Sequence, residues 1–102
     1  MPTEYKEDFI IKERIVAVDV RYDKSFNWSG FIKRGYWVSV TPLKNKKLTE
    51  DGMVIREYDP MEGFNDLLLE VERKSPNNLA KAIAIYNEKL PKYKESLEKT
   101  LK

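Results

Sequence analysis

The clearest hydrophobic pattern in the chain is a period of two over residues 16–22. Val16, Val18, Val20 and Tyr22 fall on one side, with Ala17, Asp19 and Arg21 on the other. Successive side chains of a strand point to opposite faces, so this segment reads as a half-buried β-strand. The alternation returns at Tyr36, Val38 and Val40, opposed by Trp37, Ser39 and Thr41. This second strand is expected to stop at Pro42, which has no N–H to give to a ladder. Residues 53–58 form a third β-prone run behind the tight-turn dipeptide Asp51-Gly52, and Lys44-Asn45-Lys46-Lys47 reads as a solvated turn. Residues 23–35 include Ser25, Asn27, Ser29, Gly30 and Gly35, the composition of a loop or a long, irregular hairpin connection. The first dozen residues fit two patterns: Tyr5, Phe9 and Ile10 have helical spacing, while Phe9-Ile10-Ile11 suits the start of a strand.

The spacing changes after residue 58. In Asp59-Pro60-Met61-Glu62, an N-cap residue precedes a first-turn proline and a third-position glutamate, which is a capping-box pattern. Phe64, Leu67, Leu68 and Val71 follow at helical spacing, so a helix is expected to about Lys74. Ser75-Pro76 repeats the start signal. Leu79, Ile83, Tyr86, Leu90, Tyr93, Leu97 and Leu101 then recur every three or four residues, close to a heptad seam, with Ala80, Ala82, Ala84 and Ile85 widening it. Glu88–Lys92, Glu95–Lys99 and Glu98–Lys102 are acid-before-base pairs four apart. Pro91 lies inside this run and predicts a kink or break there. The expected architecture is a single α+β domain over residues 1–102. A small antiparallel sheet of three or four strands, about residues 9–58, precedes two C-terminal helices, about 60–74 and 76–100, packed on one face.

Composition narrows the chemistry. The chain is 41% hydrophobic and 35% charged, enough apolar content for a core and inconsistent with disorder over most of its length. It has no cysteine and no histidine, which removes disulfides, thiolate or histidine zinc sites, cysteine nucleophiles and Ser-His-Asp relays. No cofactor is expected. Met1-Pro2-Thr3-Glu4 is not the start of a signal peptide and no run approaches a membrane span, so a cytoplasmic location without membrane attachment is expected. The net charge of +2 is assembled from blocks: residues 15–49 carry +5, residues 50–72 carry −7 and residues 73–102 carry +5. A dedicated duplex-DNA binder has a stronger basic bias overall.

The first +5 block holds half of the twelve aromatic residues: Tyr22, Phe26, Trp28, Phe31, Tyr36 and Trp37, with Lys24, Lys33 and Arg34 among them. Aromatic faces beside cations stack on unpaired bases or anchor a protein partner, and they equally build a small β-sheet core. The candidate contact residues are Trp28, Phe31, Lys33, Arg34 and Trp37. The acidic run offers Asp59, Glu62 and Asp66 to a hard cation, but capping and solvation of a helix explain these residues better, so no metal site and no catalytic residue are expected. The distal helix, with Tyr93 and Leu97, is a candidate for self-association into a homodimer. The expected function is a non-enzymatic interaction or adaptor module that binds a protein partner or its own copy. The alternative is a nucleic-acid-binding accessory protein acting on single-stranded DNA or RNA through the block at residues 26–37.

Overall fold

The computed structural model describes residues 4–28, 31–48, 54–59 and 61–101, with side chains over residues 4–23, 34–44, 58–59 and 61–101. The elements are β1 (Tyr5–Ile11), β2 (Arg14–Trp28), β3 (Phe31–Leu48), β4 (Val54–Tyr58), β5 (Phe64–Glu70) and α1 (Pro76–Thr100). All strand pairs are antiparallel. β1 pairs β2 and β2 pairs β3; β3 then pairs β5 over residues 35–40 and β4 over residues 43–48. A four-stranded sheet, β1-β2-β3-β5, is therefore covered on one face by the single helix, while β4 prolongs the pairing of β3 beyond it.

The period of two in β2 selects the covered face. Val16, Val18 and Val20 stand opposite Pro42, Val40 and Val38, and Tyr22 opposite Tyr36. All are buried, together with Ile11, Leu68, Ala82, Tyr86, Tyr93, Leu97 and Leu101. Burying a valine- or leucine-sized side chain contributes ~1.5–3 kcal/mol, so this layer dominates stability. β1 and β2 join through Lys12 and Glu13, both left-handed at φ 49° and 67°. A two-residue hairpin with the native twist requires that conformation at both positions, and non-glycine residues there cost ~1 kcal/mol each. The Lys12 Nζ donates to the Leu101 carbonyl at 2.9 Å, tying this turn to the helix C-terminus.

α1 begins as its sequence predicts. Ser75 caps it, the Oγ accepting from Asn78 N–H at 3.1 Å, and Pro76 occupies the first turn. It continues for 25 residues through Pro91 without the expected break. Pro91 is on the exposed side, and buried Tyr86, Tyr93 and Leu97 hold the helix to the sheet on both sides of it. The lost backbone hydrogen bond is thus outweighed by packing.

The second expected helix, over residues 60–74, is absent; residues 64–70 form β5 instead. Residues 35–40 of β3 carry backbone groups that a buried strand must satisfy, and β5 satisfies them. The capping carboxylates are used elsewhere. Arg14 Nη1 bonds Glu62 Oε2 at 2.6 Å, and Arg14 Nη2 lies 3.9 Å from Asp59 Oδ2. Of the two readings of residues 23–35, the irregular hairpin holds: residues 23–28 and 31–35 are its arms, paired as far as Trp28 and Phe31, with an irregularity between Asp23 and Phe26. Two further expectations change. β3 passes through Pro42, which stands where pairing hands over from β2 to β4. The Lys44–Lys47 segment is strand, Lys46 facing Arg56 and Lys47 facing Ile55. The ambiguous N-terminal residues are strand β1. The Asp51-Gly52 turn lies outside the described residues.

Candidate binding surface

The two faces of the sheet differ in chemistry. On the covered face, each outer strand places one carboxylate beneath the helix: Glu7 on β1, opposite Val18, and Asp66 on β5, opposite Val38. Tyrosines satisfy them. Tyr86 donates to Glu7 Oε1 at 2.6 Å and Tyr5 to Glu7 Oε2 at 2.5 Å. Tyr93 donates to Asp66 Oδ2 at 2.6 Å, and Lys89 Nζ approaches the same oxygen at 3.1 Å. The rings stack, Tyr86 on Tyr93 with centroids 6.2 Å apart, and Tyr93 meets Phe64 at 5.3 Å. Burial first, then the bond to a carboxylate, pushes the hydroxyls of Tyr86 and Tyr93 well above the usual tyrosine range. For Tyr5 the bond to Glu7 comes first and burial second, and its hydroxyl also moves up. Both oxygens of Glu7 and Oδ2 of Asp66 have their donors, so this network reads as a structural lock between helix and sheet.

No helix of the described residues lies over the other face. It presents Lys6 and Asp8 from β1, Ala17, Asp19 and Arg21 from β2, Trp37, Ser39 and Thr41 from β3, and Asn65 and Leu67 from β5. Trp37 is partly exposed at its middle, opposite Arg21 on one side and Leu67 on the other. Ser39 donates to Asn65 Oδ1 at 2.6 Å, fixing the neighbouring β3–β5 step. Tyr58, 46% exposed, stands at the edge of this face beside Lys6, Asp8 and Asp19.

The predicted contact residues separate. Arg34 is exposed on β3, its carbonyl accepting from Val71 N–H at 3.0 Å, and Trp37 lies three positions along on the helix-free face. Trp28, Phe31 and Lys33 lie on the paired arms, with side chains outside the described residues. Tyr93 and Leu97, the self-association candidates, are 7% and 1% exposed within the chain's own core. That position corrects the expectation: both are buried against the sheet and neither is presented to a second copy. Asp59 and Glu62 belong to the Arg14 cluster and Asp66 to the tyrosine network. Among the described residues, no group of three or more acidic side chains is placed to hold a metal ion.

Sequence reading missed the run of charge along β3. Its 18 residues carry Lys33, Arg34, Lys44, Lys46 and Lys47 and no acid. The signal was present in the sequence, but dividing the segment into loop, strand and turn hid its continuity. Tyr58 was missed as well, since alternation alone does not tell an edge aromatic from a core one. No described helix is long and apolar enough to cross a membrane. Compared with family models, curated proteins and solved structures, the chain matches none.

Proposed function

We propose that the protein is a non-enzymatic binding module whose ligand is single-stranded nucleic acid, laid across the helix-free face along β3. The observation that carries this reading is β3 itself, an 18-residue strand with five bases, no acid and a partly exposed tryptophan midway. A single strand needs cations spaced along its phosphates and a π surface for unpaired bases, and a basic strand interrupted by an indole supplies both. Arg34 and Lys44, both exposed, bracket the central stretch, and Trp37 lies between them. A protein partner is the other occupant this face suits, and the two occupants differ in their response to salt. Self-association through Tyr93 and Leu97 is not part of this reading, because both side chains are in the core.

The test is fluorescence anisotropy with a labelled single-stranded oligonucleotide. Binding should weaken about tenfold or more between 50 and 200 mM salt, as expected for a few released counterions. Trp37→Ala should weaken it by a further factor of about ten at constant salt, the lower range of one lost stacking contact. Replacing Lys46 and Lys47 by glutamine should reduce the salt slope. Absence of binding at 50 mM salt and high micromolar protein would sink the proposal and leave a protein ligand as the reading of the face.

A further inference from the structure

A shallow pocket of about 170 Å³ opens on the helix-free face between β1, β2 and the end of β4. Ala17, a small side chain on β2, lines it. Tyr58 forms a wall, and Lys6, Asp8 and Asp19 reach its rim. The Asp19 carboxylate is only partly exposed and makes no hydrogen bond or ion pair among the described residues, although Lys6 stands directly opposite in the ladder. The Asp19 carboxylate repels phosphate, so beside a basic strand it suits the donor-bearing edge of a ligand whose anionic groups lie elsewhere.

The geometry points to a nucleobase subsite that selects guanine, with Tyr58 as the stacking wall and Asp19 as the reader. This rests on the proposed function above, since it assumes a single strand on the same face. Guanine alone among the bases presents two adjacent donors, N1–H and the N2 amino group, spaced to meet the two oxygens of one carboxylate. Adenine and cytosine place an amino donor next to a ring nitrogen acceptor that a carboxylate repels. Thymine and uracil place one N–H between two carbonyls. Lys6, on the neighbouring strand, supplies the cation that complements guanine O6. Stacking on Tyr58 is indifferent to base identity, so discrimination rests on Asp19.

The experiment compares two labelled single strands of about 20 nucleotides, a thymidine tract and the same tract with spaced guanines, in lithium buffer to prevent guanine self-association. Wild-type protein should bind the guanine strand about tenfold tighter, the scale of one good bidentate base contact. Asp19→Asn, isosteric at a side chain with no bond to lose, should bring the ratio of the two affinities to about one. Lys6→Gln should lower it by a smaller factor. Melting temperatures near wild type establish that both variants fold. A wild-type ratio near one, or a ratio that survives Asp19→Asn, overturns the subsite while leaving single-strand binding intact. Failure of both strands to bind overturns the parent reading, and the two outcomes are distinct.

Discussion

Gly35→Ala isolates the closest approach between strands. A Cβ built at Gly35 would lie 2.1 Å from the Leu69 carbonyl oxygen and 2.9 Å from the Glu70 Cα. Its φ of 159° is a backbone angle that L side chains rarely adopt, so strain there adds to the contact. Both obstructing atoms belong to the β5 main chain and have no rotamer to yield. Relief requires the end of β5 to move away, breaking the pairing of Gly35 with Glu70 and of Tyr36 with Leu69, and the Val71 N–H bond to Arg34. Overpacking costs ~1–3 kcal/mol, and two weakened ladder bonds add ~0.5–1.5 kcal/mol each, giving about 4 kcal/mol at mid-range. Domains have a net stability of ~5–15 kcal/mol, so the variant should remain folded but only narrowly. In urea, with a slope of ~1–1.5 kcal/mol/M for a chain of this size, the unfolding midpoint should drop by about 3–4 M. Gly63→Ala is the internal comparison: its nearest obstacle, the Val40 carbonyl, is at 2.9 Å and the next atoms at 3.3 Å, so its loss should be near 1 kcal/mol. A Gly35→Ala unfolding free energy within about 0.5 kcal/mol of wild type, or a ranking in which Gly63→Ala is worse, would refute the reasoning.

Two further outcomes follow from other contacts. Tyr86 and Tyr93 keep their protons in the fold more tightly than in the unfolded chain, where tyrosine ionises near pH 10. Their contribution is whole below that pH and is lost as pH rises beyond it, by up to ~1.4 kcal/mol per pH unit for each residue. Denaturant midpoints across pH 8–12 should therefore fall above about pH 10, and a fall unchanged in the Tyr86→Phe/Tyr93→Phe double variant would contradict this origin. Arg14 bonds the Leu43 carbonyl through Nε at 3.3 Å and Nη2 at 3.2 Å, as well as Glu62, so it anchors the base of the β3–β4 pairing. Arg14→Ala should cost about 2 kcal/mol, the scale of hydrogen bonds to a charged group, and speed amide exchange in β4 more than in β1; equal rates in both strands would argue against an anchoring role.

The legible parts of the fold were those where local pattern and tertiary role agree. Val16, Val18, Val20 and Tyr22 alternate because every second position meets the helix-covered core, and Ser75-Pro76 starts α1 because its capping bond is local. The two outer strands were obscured by the same device. Along β1 the inward positions are Tyr5, Glu7, Phe9 and Ile11, and along β5 they include Phe64, Asp66 and Leu68. One carboxylate interrupts each apolar series, and the tyrosines that make it tolerable lie at positions 86 and 93. An irregularity between Tyr36 and Trp37 in the β3–β5 pairing further shifts Leu67, Leu68 and Leu69 off a strict alternation, leaving a spacing that imitates a helix. On the candidate surface, the aromatic and basic composition was visible, but which face Trp37 shares with Arg21 depends on register, a long-range property.

The central position of β3 has a consequence for the order in which the chain acquires its structure. Residues 35–42 are flanked by β2, and within that span residues 35–40 are also flanked by β5, whereas both ends of the strand have hairpin partners alone. Pairing with β2 closes a short loop and carries little entropic penalty, while pairing with β5 must first close the whole β4 excursion. A nucleus of β2 and β3 would form early, β5 and the helix would consolidate it, and the strand's middle would open only with the entire molecule. Its ends can fray without that cost. One continuous strand therefore joins a middle flanked on both sides, which holds the indole, to ends that have one partner each.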